Sequence, residues 1–251
     1  MSGGRRPGTL RLALTPFAVG TGLLVLYLWV HTADVPPEEA SVLSAGFLGT
    51  RVAQHVELTV TSFLIAAAIA LPLGVAAARS GRALRVPLLL AANLGQAVPS
   101  IALLALVFTV TGFTFRTTVI ALVVYAVLPI LRNTLAGLQG VDPDAVEAAR
   151  GMGMSPVQVL ARVEVPLASP VILAGLRTAL VLVVGTATLG NFVGGGGLGD
   201  VIESGLTASG LEPASRIVVV GAVLVAALAL TADWMLGLVE RAVVPATWEE
   251  R

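Results

Sequence analysis

The chain of 251 residues is 56% hydrophobic, 12% charged and 5% aromatic, and its fifteen Arg balance fifteen Asp and Glu. A soluble domain carries about a quarter charged residues, so half that charge at a mean hydropathy of +0.93 excludes a soluble all-α protein: too few polar residues remain to cover a surface. With no Cys, no Lys and only His31 and His55, the chain also lacks a thiol nucleophile, a Walker P-loop and a histidine metal cluster, so no catalytic residue, metal or cofactor of its own is expected.

A bilayer core about 30 Å thick needs roughly 20 apolar residues per helix. Six stretches qualify: 12–30, 58–78, 86–110, 117–138, 166–190 and 217–239. The first follows Arg5, Arg6 and Arg11, as the apolar core of a signal peptide would. It is long, however, and ends in Trp29-Val30-His31-Thr32 without a clear small-residue cleavage site, so an uncleaved helix is expected. A polar loop over 31–57 leads to the second span. There Ala66, Ala70, Gly74 and Ala78 recur every four residues, a stripe that lets helices pack closely in lipid.

A short basic loop, Ser80–Arg85, precedes the third span, which Asn93, Gln96, Pro99 and Ser100 interrupt. Polar and helix-breaking residues at membrane depth face protein or water, so these four either line a pathway or hydrogen-bond between helices. The fourth span is the weakest, because Pro129, Arg132 and Asn133 leave only Thr117–Leu131 strictly apolar.

The segment 139–165 reads as two short helices. Asp142 is an N-cap, Pro143 suits the first helical position and Asp144 the positive end of the dipole, giving a helix to about Arg150 that Gly151 and Gly153 end. Ser155-Pro156 starts a second helix, and Val165-Pro166 is expected to stop it and begin the fifth span. The result is a helix–turn–helix elbow. Nucleic-acid binding is excluded, because four acids (Asp142, Asp144, Glu147, Glu164) outweigh Arg150 and Arg162. The small residues Ala148, Ala149, Gly151 and Gly153 at the apex favour a docking knob over an ordinary interfacial helix pair.

Arg177 in the fifth span and Asp233 in the sixth are the deepest ionisable residues. Roughly 16 Å and 12 Å of helix separate them from Pro166 and Arg241, so they can pair at similar depth. The intervening loop 191–216 contains Gly194-x-Gly196-x-x-Gly199, which fits a dinucleotide fingerprint formally but lacks its strand. It reads instead as a flexible outer turn or gate. With the N-terminus inside, eleven Arg fall in cytoplasmic segments and only Arg51, Arg116 and Arg216 outside, which places both termini in the cytoplasm.

The elbow carries Glu147-Ala148-Ala149, three residues, Gly153, nine residues, then Val163-x-Val165-Pro166. This resembles the EAA motif of permease subunits of binding-protein-dependent ABC importers, with Val in place of Ile and Leu. Gln96-Ala97-Val98-Pro99-Ser100, Leu131-Arg132-Asn133-Thr134, Gly151-Met152-Gly153-Met154-Ser155-Pro156, Gly185-Thr186-Ala187-Thr188-Leu189 and the run Gly194–Asp200 resemble the osmoprotectant branch, which moves glycine betaine, carnitine and choline. The resemblance covers roughly Leu58 to Arg241. It implies an all-α polytopic fold of the type I importer permease kind, in a bacterial or archaeal cell membrane. It further implies a second permease copy or a related chain, two ATP-binding subunits that hold the ATP, and a separate extracytoplasmic binding protein. Glu147 would then be a polar contact at the ATPase groove, Ala148 and Ala149 the close-packing surface, and Gly153 the turn, with Pro166 closing the motif.

Only twelve aromatics are present, and Phe108, Phe113 and Phe115 cluster near the outer end of the third span, so no high-affinity quaternary ammonium cage is expected. An importer of another small solute, such as an amino acid, shares the docking motif. A self-sufficient secondary transporter would need buried coupling acids, for which Asp233 is the candidate.

Overall fold

The computed structural model describes residues 8–32, 37–208 and 215–243; Arg5, Arg6 and Arg251, used above to orient the chain, lie outside them. The described residues form helices α1 (Gly8–Thr32), α2 (Pro37–Val42), α3 (Ala45–Arg79), α4 (Arg82–Ala97), α5 (Ser100–Thr111) and α6 (Phe115–Gln139). There follow α7 (Pro143–Gly151), α8 (Pro156–Val159), α9 (Val165–Thr186), α10 (Leu198–Thr207) and α11 (Ser215–Val243), with a π turn at Leu160–Glu164 and a 3₁₀ turn at Ala187–Val193.

Five helical stretches are long and apolar enough to cross a membrane: Ala13–Thr32, Ala45–Arg79, Phe115–Gln139, Pro156–Val193 and Arg216–Ala242. The stretch expected as a single third span, 86–110, is instead the pair α4 and α5, bent by 100°. The cause is Pro99, which pushes the preceding Val98 out of the helical region to φ −73°, ψ 128°. The broken backbone is satisfied by α6: the Tyr125 hydroxyl donates to the Val98 carbonyl, and Gln96 Nε2 donates to the Tyr125 carbonyl at 2.8 Å.

Contacts along the chain show that the bent pair still runs the length of the molecule. α3 meets the glycine run at one end, through His55 and Leu198, and Glu164 at the other, through Arg79. α4 leaves from this second, elbow end. α5 leads to Phe113, which lies against Gly194 in the glycine run. α4 and α5 together therefore make a sixth crossing. α11 starts with Ile217 packed on Leu198 and Val201 at the glycine-run end, and Arg216 lies 5.8 Å over the Trp29 ring near the end of α1. α1 and α11 are thus antiparallel neighbours, and the described chain begins and ends toward the elbow.

The centre is α3, α6 and α9, whose buried residues include Ala66, Ala70, Leu122, Ala126, Ile130 and Ala179. The expected small-residue stripe is present, but its fourth buried member is Ala77, not Ala78. At 3.6 residues per turn a strict four-residue spacing drifts off the contact face. Gly74 lies so close to α6 that a Cβ would meet Thr134 Cβ at 2.6 Å. α3 begins thirteen residues before the expected span at 58, because Arg51, Gln54 and His55 turn their polar groups toward protein partners. α6 continues through Pro129 because the Tyr125 carbonyl, which the missing proline N–H leaves open, accepts from Gln96 Nε2 at 2.8 Å. Outward faces carry Leu64, Ile65, Leu94, Leu106 and Val110 exposed, the surface a bilayer would cover.

Candidate functional site

The elbow is built by its caps. Asp142 Oδ1 accepts from the Asp144 amide at 2.9 Å, and Ser155 and Gln158 form a reciprocal capping box with contacts of 3.4 and 2.8 Å. Between them Gly153 takes φ +81°. Its amide donates to the Arg150 carbonyl at 2.9 Å and the Met154 amide donates to the Ala149 carbonyl at 3.2 Å. This is a Schellman ending, in which the left-handed residue closes the orphan carbonyls of α7.

The apex exposes Glu147, Ala148, Gly151 and Gly153. Ala149, expected on the close-packing surface, is instead 1% exposed and packs within the elbow, because it falls on the inner face of α7. The apolar part of the apex comes from Met152 and Val157, 71% and 74% exposed, which the sequence reading passed over. Pro166 is half-buried in the first turn of α9, away from the apex. It does not stop the second elbow helix: α8 runs through the π turn directly into α9. A proline ring would strike the carbonyl four residues back, here that of Arg162, and the wider turn gives it room.

The four pathway candidates gather around the α4–α5 break. Asn93 Oδ1 accepts from Arg132 Nη2 at 2.5 Å, Gln96 reaches the Tyr125 carbonyl and Ser100 hydrogen-bonds the Tyr125 hydroxyl, so three of the four bond between helices. Pro99 and Ser100 open α5.

Arg177 and Asp233 meet. Arg177 Nε and Nη2 donate to Asp233 Oδ1 and Oδ2 at 2.8 and 2.7 Å, and Nη1 donates to Glu240 at 3.1 Å, an acid the sequence reading did not include. Asp233→Asn should lower the thermal midpoint in detergent, in line with a loss of about 1.5–3 kcal/mol for a charged hydrogen bond. Arg177→Gln in the same background should recover part of it. An unchanged midpoint in the single variant would show the pair to be dispensable.

At the opposite end, the glycine run is held by α3. Gln54 Oε1 accepts from the Gly197 amide at 3.2 Å and from Arg51 Nη1 at 2.9 Å, and Arg51 pairs with Asp200 at 2.6 Å. Burial pushes the Asp200 carboxyl up, and the Arg51 charge opposes that. His55 is 0% exposed. Its Nδ1 accepts from the Leu198 amide at 3.3 Å, which leaves the ring proton on Nε2 to donate to the Val184 carbonyl at 3.0 Å. A cleft of about 550 Å³ opens beside this run, with Glu57, Phe113, Phe115 and Glu203 on its wall. Half of its polar side chains (Arg51, Gln54 and Glu57) come from the start of α3, which reads as loop because these residues and His55 depress its hydropathy, and the rest (Asn191, Asp200 and Glu203) from the 3₁₀ turn and α10. Among the described residues no His, Asp and Glu gather as a metal site.

Residues 70–245 match the family described as binding-protein-dependent transport system inner membrane component. The carnitine transport permease protein OpuCD of Listeria monocytogenes is 42% identical over 192 residues, 76% of this chain and 84% of that protein. The glycine betaine/carnitine/choline transport system permease protein OpuCD of Bacillus subtilis is 39% identical over 202 residues, 80% of this chain and 86% of that one. Among solved structures, the inward-facing MetNI methionine ABC transporter superposes with a TM-score of 0.68 at 24% identity, covering 81% of this chain and all of the other. An amino acid ABC transporter superposes at 0.65 and 19% identity, covering 83% and 99%. These two likenesses are of fold.

Proposed function

We propose, for a chain that belongs to the family of binding-protein-dependent transport system inner membrane components, that it forms the translocation pathway of an ATP-driven importer for osmoprotectants of the carnitine, glycine betaine and choline type. The chain is a multi-pass permease subunit. The observation that carries its mode of action is the elbow, a capped and rigidly turned projection whose apex of Ala148, Met152, Gly153 and Val157 is exposed, with no partner helix over it among the described residues. An ATP-binding subunit covers that apex, with Glu147 at the rim. Two such subunits, a second permease and a separate binding protein complete the assembly, with the elbow and both termini on the cytoplasmic side.

The cargo assignment rests on relatives 37–42% identical whose names carry those solutes; the amino acid transporters share the fold at 19–24% identity. A self-sufficient secondary transporter is disfavoured, because both carboxylate oxygens of Asp233 are taken up by Arg177.

The test is co-purification from the native locus through a C-terminal tag, followed by mass spectrometry. A stoichiometric ATP-binding subunit is expected, together with a binding protein that takes betaine, choline or carnitine in preference to proline. A stable complex without an ATPase in several detergents would overturn the reading.

A further inference from the structure

The root of the elbow carries a polar contact that neither the docking apex nor the glycine-run cleft uses. Arg79, the last residue of α3, donates through Nη2 to Glu164, the last residue of the π turn. The Glu164 side chain is 11% exposed and that of Arg79 36%. The elbow packs mainly on itself and on the start of α9, so this ion pair is a lateral tie from the elbow to a different helix.

Two features give that tie a mechanical meaning. The π turn between the apex and α9 replaces the regular α-helical ladder with i→i+5 bonds, an irregularity found mostly at functional sites and a place where helices bend. A displacement of the apex is absorbed there unless something beyond α9 is attached to the turn. The second feature is α3 itself. From Arg79 it runs as one continuous helix, through Pro72, to His55, about 36 Å at 1.5 Å per residue, where Arg51, Gln54 and His55 hold Asp200, Gly197 and Leu198. One rod thus has the elbow pinned to one end and the glycine run pinned to the other.

We propose that Arg79 and Glu164 form a coupling strut, a positioning pair that converts movement of the docked elbow into movement of α3 and so of the glycine run at the far mouth. This rests on the importer reading above. It assigns to Glu164 a role distinct from ATPase contact, since its carboxylate faces α3 and not the apex.

The experiment uses the whole transporter in proteoliposomes, with ATP hydrolysis and solute uptake measured on the same sample. Arg79→Gln and Glu164→Gln should keep the ATPase subunit bound and its hydrolysis within about twofold, while solute moved per ATP falls at least fivefold. The exchanged pair, Arg79→Glu with Glu164→Arg, should recover at least half of the ratio. Because the chain has no Cys, Arg79→Cys with Glu164→Cys offers a second reading in a single preparation. Joining the two thiols with a short bis-maleimide should raise transport per ATP without raising hydrolysis, whatever the yield of the charge variants. An unchanged ratio in both single variants, or no recovery on cross-linking, would overturn the strut. Failure of the unmodified permease to retain an ATPase at all would instead overturn the importer reading on which it stands.

Discussion

Replacing Gly175 with leucine is expected to abolish recovery of folded, monodisperse protein. Gly175 lies where α9 crosses α6, and a Cβ there would sit 2.4 Å from Asn133 Cβ and 2.9 Å from the Pro129 carbonyl oxygen. Neither atom can swing away, since one is fixed to the α6 backbone and the other belongs to it. Asn133 also donates to the Pro129 carbonyl, so its side chain is held in place beside Gly175. Helix association in lipid depends on van der Waals packing between small residues, with little help from a hydrophobic driving force. Overpacking of about 1–3 kcal/mol per inserted group therefore falls on the central helix pair with nothing to offset it. Gly175→Ala should fold with a lowered thermal midpoint. Gly185→Ala, on the same helix with nothing within 4 Å of its Cβ, should match the parent. Size-exclusion profiles and thermal melts in detergent decide the matter, and a leucine variant as well behaved as the parent would refute the close crossing.

Gly153→Val is expected to leave a folded permease that no longer holds its ATPase and loses at least tenfold in transport. The position has open space around its Cβ, so sterics within the chain do not forbid the change. The backbone does: φ is +81°, a conformation that costs a β-branched residue about 1–3 kcal/mol. Relaxing it breaks the Gly153–Arg150 and Met154–Ala149 bonds and re-aims α8, carrying Val157 away from Met152. Asparagine tolerates the left-handed region, so Gly153→Asn should retain most of the uptake. Gly151→Ala, two residues earlier and without a positive φ, should be close to neutral. Wild-type uptake in the valine variant would show that the turn has no part in docking.

Much of this architecture was legible because the signals are local and physical. The two elbow caps are read from Asp142-Pro143 and Ser155-Pro156 alone, and the apolar runs give the spans to within a few residues at most ends. What escaped was set by neighbours distant in sequence. The start of α3 looked like loop, since the partners of Arg51, Gln54 and His55 lie about 145 residues further on, in the glycine run and α10. Pro99 was visible as an interruption, but only the Tyr125 hydroxyl and the Gln96 amide show how a bend of 100° is held. Val165-Pro166 reads as a stop, though a π turn lets the helix pass it. The motif alone places Ala149 on the docking surface, whereas the pitch of α7 turns it inward.

The bend between α4 and α5 also bears on how the protein is made. At 1.5 Å per residue their 16 and 12 residues span about 24 and 18 Å, each short of the roughly 30 Å hydrocarbon thickness. Neither is a stable insertion unit. Until α6 emerges from the ribosome there is no Tyr125 to cover the Val98 carbonyl or to receive the Gln96 amide, and exposed polar groups in lipid cost several kcal/mol each. The bent pair has its polar groups covered only when α6 is in place, so α4, α5 and α6 form one hydrogen-bonded unit of the membrane domain.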